Sequence, residues 1–223
     1  MGGHSRVLLG CLALGQVVDS KLVLPKAPPK GFNTFDDYHS QTLNESTVRG
    51  LADAMANQLL EVGYEYLVLD GGWSKSTNAT GGVTEHLDAW GRPVAAPERY
   101  QDMRALSNYV KSRGLKFGLW TIRGIHEEAA NRKLPVKGME HFTLDELVDQ
   151  ENTGGGPNGS CLWAKEWLGV NMSHPAAEAY YASRVDLLVD DYGVDFIKAD
   201  CMMCAPYKFR RPPFLLRGNH HRE

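Results

Sequence analysis

Lys198 and Asp200 close the apolar run Val194-Asp195-Phe196-Ile197-Lys198-Ala199-Asp200-Cys201. Side chains alternate across a strand, so the two share a face. If that face looks into a barrel, the ammonium lies close to the carboxylate at the strand's C-terminal mouth, which describes a poised nucleophile. A helix–sheet connection with a solvated Asp200 and a snorkelling Lys198 fits the octapeptide equally well, so the rest of the chain decides. Two other apolar runs end in residues with chemical potential. Leu67-Val68-Leu69 runs into Asp70-Gly71-Gly72-Trp73, and Leu115-Lys116-Phe117-Gly118-Leu119 runs into Trp120.

The elements that must hold these residues follow from periodicity. Gly31–Phe35 reads as a first strand, followed by a polar turn over Asp36–Ser40. Asn44 or Ser46 can cap a helix with Val48, Leu51, Ala52, Met55, Leu59 and Val62 at helical spacing, which Gly63 stops. Tyr64–Leu69 is the second strand. Ser74–Tyr100 shows no periodicity and reads as a long substrate-side loop. Asp102–Arg113 is the next helix, with Gly114 at its end, and Leu115–Thr121 the third strand. From Ile122 to Pro157 the chain is mostly polar, with a short helix expected at Thr143–Gln150. A helix from Pro175 to Tyr192, stopped by Gly193, leads into the octapeptide as fourth strand. Repeated helix-to-strand units without a Gly-rich phosphate loop predict an α/β fold, a partial (β/α)8 TIM barrel of about four units, rather than a doubly wound sheet.

Composition narrows the functions. A length of 223 residues with 43% hydrophobic and 23% charged residues is an ordinary globular balance. The net charge of -3, with scattered Lys and Arg, offers no field for nucleic acid or an anionic membrane, so neither is expected as a partner. Cys11, Cys161, Cys201 and Cys204 are too few for a disulfide scaffold and lack repeated zinc-site spacing. Cys201-Met202-Met203-Cys204 follows a strand instead of opening a helix, which argues against redox work. Residues 1–18 hold Arg6 and then an apolar run of signal-peptide length, too short to span a bilayer. With sequons at Asn44, Asn78, Asn158 and Asn171, this fits a glycoprotein of the secretory pathway, extracellular, vacuolar or lysosomal. Residues 19–30, with Pro25, Pro28 and Pro29, form an extended lead-in.

Gly31-Phe32-Asn33-Thr34-Phe35, Leu69-Asp70-Gly71-Gly72-Trp73, Lys116-Phe117-Gly118-Leu119-Trp120 and Asp195-Phe196-Ile197-Lys198-Ala199-Asp200-Cys201 occur in an order that resembles glycoside hydrolase family 27, the α-galactosidase or melibiase family. The resemblance spans about Gly31 to Cys201 and implies the N-terminal half of a catalytic barrel, with residues 31–204 as the partial barrel domain. It makes Asp200 the nucleophile of a retaining mechanism, puts Lys198 in the sugar pocket, and makes Asp70 a ligand of galactose hydroxyls. A carboxylate can accept two hydroxyl protons there, and Trp73 can cover the sugar's apolar face or simply pack. A strand-end Asx turn is the plainer reading of Asp70. Trp120, ending its strand at the same mouth, is expected to bind substrate as well. The resemblance also implies a Cys161–Cys201 disulfide, with Cys204 left odd, and needs no cofactor or metal. The expected partner is a galactose-containing oligosaccharide or glycoconjugate.

The departures are specific. The family reads Asp-Asp-Cys-Trp where this chain has Asp70-Gly71-Gly72-Trp73, Phe32 stands where a tryptophan is common, and Thr121-Ile122 replaces a polar-acidic pair. Fewer carboxylates suit a related pyranoside such as β-L-arabinopyranose. A retaining glycosidase also needs a second carboxyl about 5 to 5.5 Å from the nucleophile. The family's acid/base lies two strands beyond Asp200, whereas residues 205–223 show no pattern and read as a disordered, non-family tail in which His220 and His221 are solvated. The expectation is a truncated glycosidase without turnover of its own. The alternatives are a non-catalytic galactose-binding half-barrel and an inactive pseudoprotein.

Overall fold

The computed structural model describes residues 27–38, 43–77, 79–149, 161 and 163–202. The leader at residues 1–18, most of the lead-in, Asn78, Asn158, Cys204 and the tail at residues 205–223 lie outside the described residues.

In chain order the elements are β1 (Gly31–Asn33), α1 (Phe35–Tyr38), α2 (Glu45–Gln58), β2 (Tyr66–Leu69), β3 (Lys75–Thr77), β4 (Val83–Glu85), α3 (Met103–Ser112), β5 (Lys116–Ile122), β6 (Ile125–His126), α4 (Glu127–Asn131), β7 (Pro135–Val136), β8 (Met139–Thr143), β9 (Trp167–Leu168), α5 (Ala177–Asp186) and β10 (Phe196–Asp200). β1, β2, β5 and β10 form one four-stranded, all-parallel sheet in that order. Each strand joins the next through a segment carrying a helix, the connectivity of a TIM-barrel-type α/β fold.

Local chemistry explains the helices on the sheet's outer face. The Asn44 side chain accepts from Thr47 N at 3.0 Å and caps α2. Asp102 does the same for α3 through Ala105 N at 2.9 Å. Gly63 and Gly114, at φ 88° and 79°, end the two helical segments in the left-handed region that glycine adopts without penalty. Val48, Ala52 and Met55 of α2 and Met103, Leu106 and Val110 of α3 bury against Leu67, Leu69, Phe117 and Leu119 of the sheet. α5 packs elsewhere, its Tyr180 joining Ile125, Leu144 and Leu147 in a second core.

Several sequence expectations need correction. Phe35–Tyr38 is a short helix in place of the end of a strand and a polar turn. Ser74–Tyr100 contains the antiparallel hairpin β3–β4, too short for its alternation to show as a pattern. The helix expected over Thr143–Gln150 is absent from the described part of that stretch: β8 runs through Thr143 and turns follow. The final helix begins at Ala177 and widens into a π-turn over Leu187–Asp191 before Gly193. No helix among the described residues is long and apolar enough to cross a membrane.

Candidate active site

Pairing register decides which side chains meet at the C-terminal mouth of the sheet. Leu69 is level with Leu119, so Asp70, one residue on, falls level with Trp120, and Trp120 is level with Lys198. Asp70, Trp120 and Lys198 thus form one layer across β2, β5 and β10, all facing away from the helices. Asp200, level with Ile122, stands one layer nearer the mouth. Gly118 makes the close approach below possible: a Cβ there would lie 2.9 Å from Val68 Cγ2 and 3.2 Å from Phe196 O.

The layer explains an ion pair that the alternation argument misassigned. Lys198 Nζ donates to Asp70 Oδ2 at 2.5 Å and does not pair with Asp200. Two residues apart on one strand, Lys198 and Asp200 are separated by a full repeat, whereas Asp70 sits at the lysine's own level. The pair is asymmetric, with the Asp70 side chain 5% exposed and that of Lys198 40% exposed. Asp70 Oδ1 accepts from Gly71 N at 2.8 Å, so the Asx turn exists alongside the ion pair.

Asp200 is oriented by two donors. Trp120 Nε1 donates to its Oδ2 at 3.0 Å and Cys201 N to its Oδ1 at 2.6 Å. The second bond depends on Cys201 adopting φ 57°, an uncommon conformation for a residue with a side chain. Cys201 is bridged to Cys161, 5.7 Å away between Cα atoms. The pairing implied by the resemblance is therefore present.

These residues line a cleft of about 460 Å³ together with Phe35, Lys75 and Trp163. Trp163, 61% exposed, has its ring centroid 6.3 Å from that of Trp120. The two indoles make the aromatic wall suited to a pyranose face. Trp73 does not: it is 3% exposed, packs in the main core and donates through Nε1 to Trp120 O at 2.8 Å. Of its two sequence readings, packing is the one realised. Lys75 and Trp163 escaped sequence reasoning because Lys75 opens a strand too short to show alternation and Trp163 sits in a turn, although each lies two residues from a singled-out residue, Trp73 or Cys161.

A second cleft of about 370 Å³ adjoins the first and shares Lys75. Glu85 lies against it, its carboxyl pushed above the usual range chiefly by burial, with the Ser74 hydroxyl bond and Lys75 opposing the shift. Burial likewise pushes His126 below the usual imidazole value. No group of three or more His, Cys, Asp or Glu among the described residues is placed to hold a metal ion.

Comparison with known proteins returns the same picture. A family model described as alpha galactosidase A matches residues 33–132. Alpha-galactosidase 2 of Arabidopsis thaliana is 28% identical over 148 residues, 60% of this chain and 34% of the plant protein. Among solved structures, one from Bacillus halodurans described as an alpha-N-acetylgalactosaminidase superposes with TM-score 0.70 and 31% identity, covering 80% of this chain and 42% of that one. A GH27 β-L-arabinopyranosidase variant from Geobacillus stearothermophilus in complex with arabinose gives TM-score 0.68 and 29% identity, covering 78% and 40%. The chain spans about a third of the curated plant relative's length.

Proposed function

Because this chain belongs to the alpha galactosidase A family of glycoside hydrolases, we propose that it forms about the first four β/α units of a retaining glycosidase barrel and holds a terminal α-galactosyl or β-L-arabinopyranosyl residue in the first cleft. One observation carries this reading: Asp200, held by Trp120 Nε1 and Cys201 N, stands one layer above the Asp70–Lys198 pair in a cleft walled by two indoles. Asp70 and Lys198 would accept from and donate to ring hydroxyls, and Trp120 and Trp163 would cover the apolar face. Asp200 would attack the anomeric carbon as the glycosidic C–O bond breaks, giving a glycosyl ester that water resolves.

A specific observation favours a second reading, sugar binding without turnover. The only carboxylates lining the first cleft among the described residues are Asp70 and Asp200, and Asp70 is committed to Lys198. No described carboxyl there is free to protonate the leaving group. Gly71, where the family carries a second sugar-binding carboxylate, fits a pentopyranose better than galactose. The secretory route, glycosylation at the sequons and residues 31–204 as one barrel segment belong to the same proposal.

The test is titration of the chain with galactose and with L-arabinose, followed by p-nitrophenyl α-galactoside hydrolysis. Binding lost in Asp70→Asn, together with turnover lost in Asp200→Asn, supports the glycosidase. Binding without turnover supports the second reading, and absence of binding to either sugar sinks both.

A further inference from the structure

We infer that the second cleft binds a cationic group, an ammonium or guanidinium, carried on the leaving portion of the glycoside; this rests on the reading of the adjoining cleft as the sugar site. The cleft opens between hairpin β3–β4, the start of α4 and the residue before β9, and Lys75 lines both clefts. A ligand extending from the sugar toward Lys75 therefore enters it.

Four carboxylates, Glu85, Glu127, Glu128 and Glu166, face one lysine and one imidazole there. Glu128 is offset by Arg132 at 3.1 Å. Glu127 N donates to Glu166 O at 2.7 Å, which fixes these two residues side by side. The sole lysine stretches between two acids, its Nζ 3.5 Å from Glu166 Oε1 and 3.8 Å from Glu85 Oε2. Charge is left over, and its sign is negative.

Glu85 shows where a ligand donor is missing. Its side chain is 2% exposed, Oε1 takes the Ser74 hydroxyl, and Oε2 is buried with no hydrogen-bond partner. Lys75 reaches that oxygen only as an ion pair at 3.8 Å, beyond hydrogen-bond distance, so an N–H-bearing cation that takes the place of the Lys75 ammonium supplies the donor a buried carboxylate oxygen lacks. Because no described cluster is placed for a metal, an organic cation is the better match. Its N–H groups would meet Glu85 and Glu166, with Glu127 adding field from the rim.

The experiment is calorimetric titration of the full chain with propylammonium, ethyl α-D-galactopyranoside and 2-aminoethyl α-D-galactopyranoside. At low salt the aminoethyl glycoside should bind about tenfold tighter than the ethyl one, and the gap should close toward 1 M salt as the charges are screened. Glu166→Gln and Glu127→Gln, both at the surface, should each narrow that gap severalfold and weaken propylammonium binding. Equal affinity for the two glycosides overturns the inference while leaving the sugar site intact. Propylammonium binding that depends on Glu166, with neither glycoside bound, upholds the cation site and removes the sugar reading. No binding of any of the three ligands overturns both.

Discussion

Asp200 owes its direction to an indole N–H and to its own neighbour's amide, so its aim is separable from its chemistry. Trp120→Phe removes that donor and leaves a smaller ring at a buried position, so on the proposed glycosidase reading turnover should fall about tenfold while the melting temperature also drops. Asp70→Asn removes the charge opposite Lys198. Since that lysine is well exposed, the loss of stability should be only about 1–2 kcal/mol by urea denaturation, while sugar affinity collapses. Glu85 and His126 set opposite pH slopes. A carboxyl raised above its ordinary value of 4.5 contributes stability that is lost as pH rises from about that value through its folded-state value. An imidazole lowered from 6.5 contributes stability that is lost as pH falls below that value. Glu85→Gln should therefore raise stability at neutral pH and leave only the acid-side loss, as read from melting temperature against pH. Strand parity was enough to put Lys198 and Asp200 on one face. Parity carries no information about level, which is why the partner of Lys198 lay beyond sequence reasoning.

At the scale of elements, the legible parts are those with a repeating physical signature. The cap at Asn44, the stripe through Met55 and the stop at Gly63 are visible in order along the sequence, and α2 follows them closely. The hairpin β3–β4 offers three residues a side, less than the shortest alternation that stands out from a loop. The helix expected over Thr143–Gln150 failed because Leu144 and Leu147 bury from consecutive turns, so apolar spacing arose without a helix. Gly118→Ala should cost about 1–3 kcal/mol of folding stability by overpacking against Val68 and Phe196, whereas Gly50→Ala, with open space around it, should not. Denaturant midpoints of the two variants check this.

Across the whole molecule, four strands in sequential order leave β1 and β10 as the outer strands of the described sheet. β1, together with Phe196 and Lys198 of β10 and Tyr66 and Val68 of β2, borders a further cleft of about 400 Å³. The barrel-type connectivity was readable because each strand ends at a recognisable motif. The register between strands was not, since it is fixed by packing between segments distant in the chain. Loss of the Cys161–Cys201 bridge, which closes a separation of 40 residues, should cost about 4 kcal/mol on the chain-entropy account, measured by unfolding Cys161→Ser.

That bridge has a second consequence, because one of its cysteines is also the residue whose amide steadies Asp200. The covalent bridge and the orientation of the Asp200 carboxylate are joined at a single backbone position. A mild reductant should therefore act first as an inhibitor and only later as a denaturant: ligand affinity should fade at a thiol concentration where far-ultraviolet ellipticity is still intact. For such a protein the oxidising power of its surroundings would set its competence as well as its lifetime.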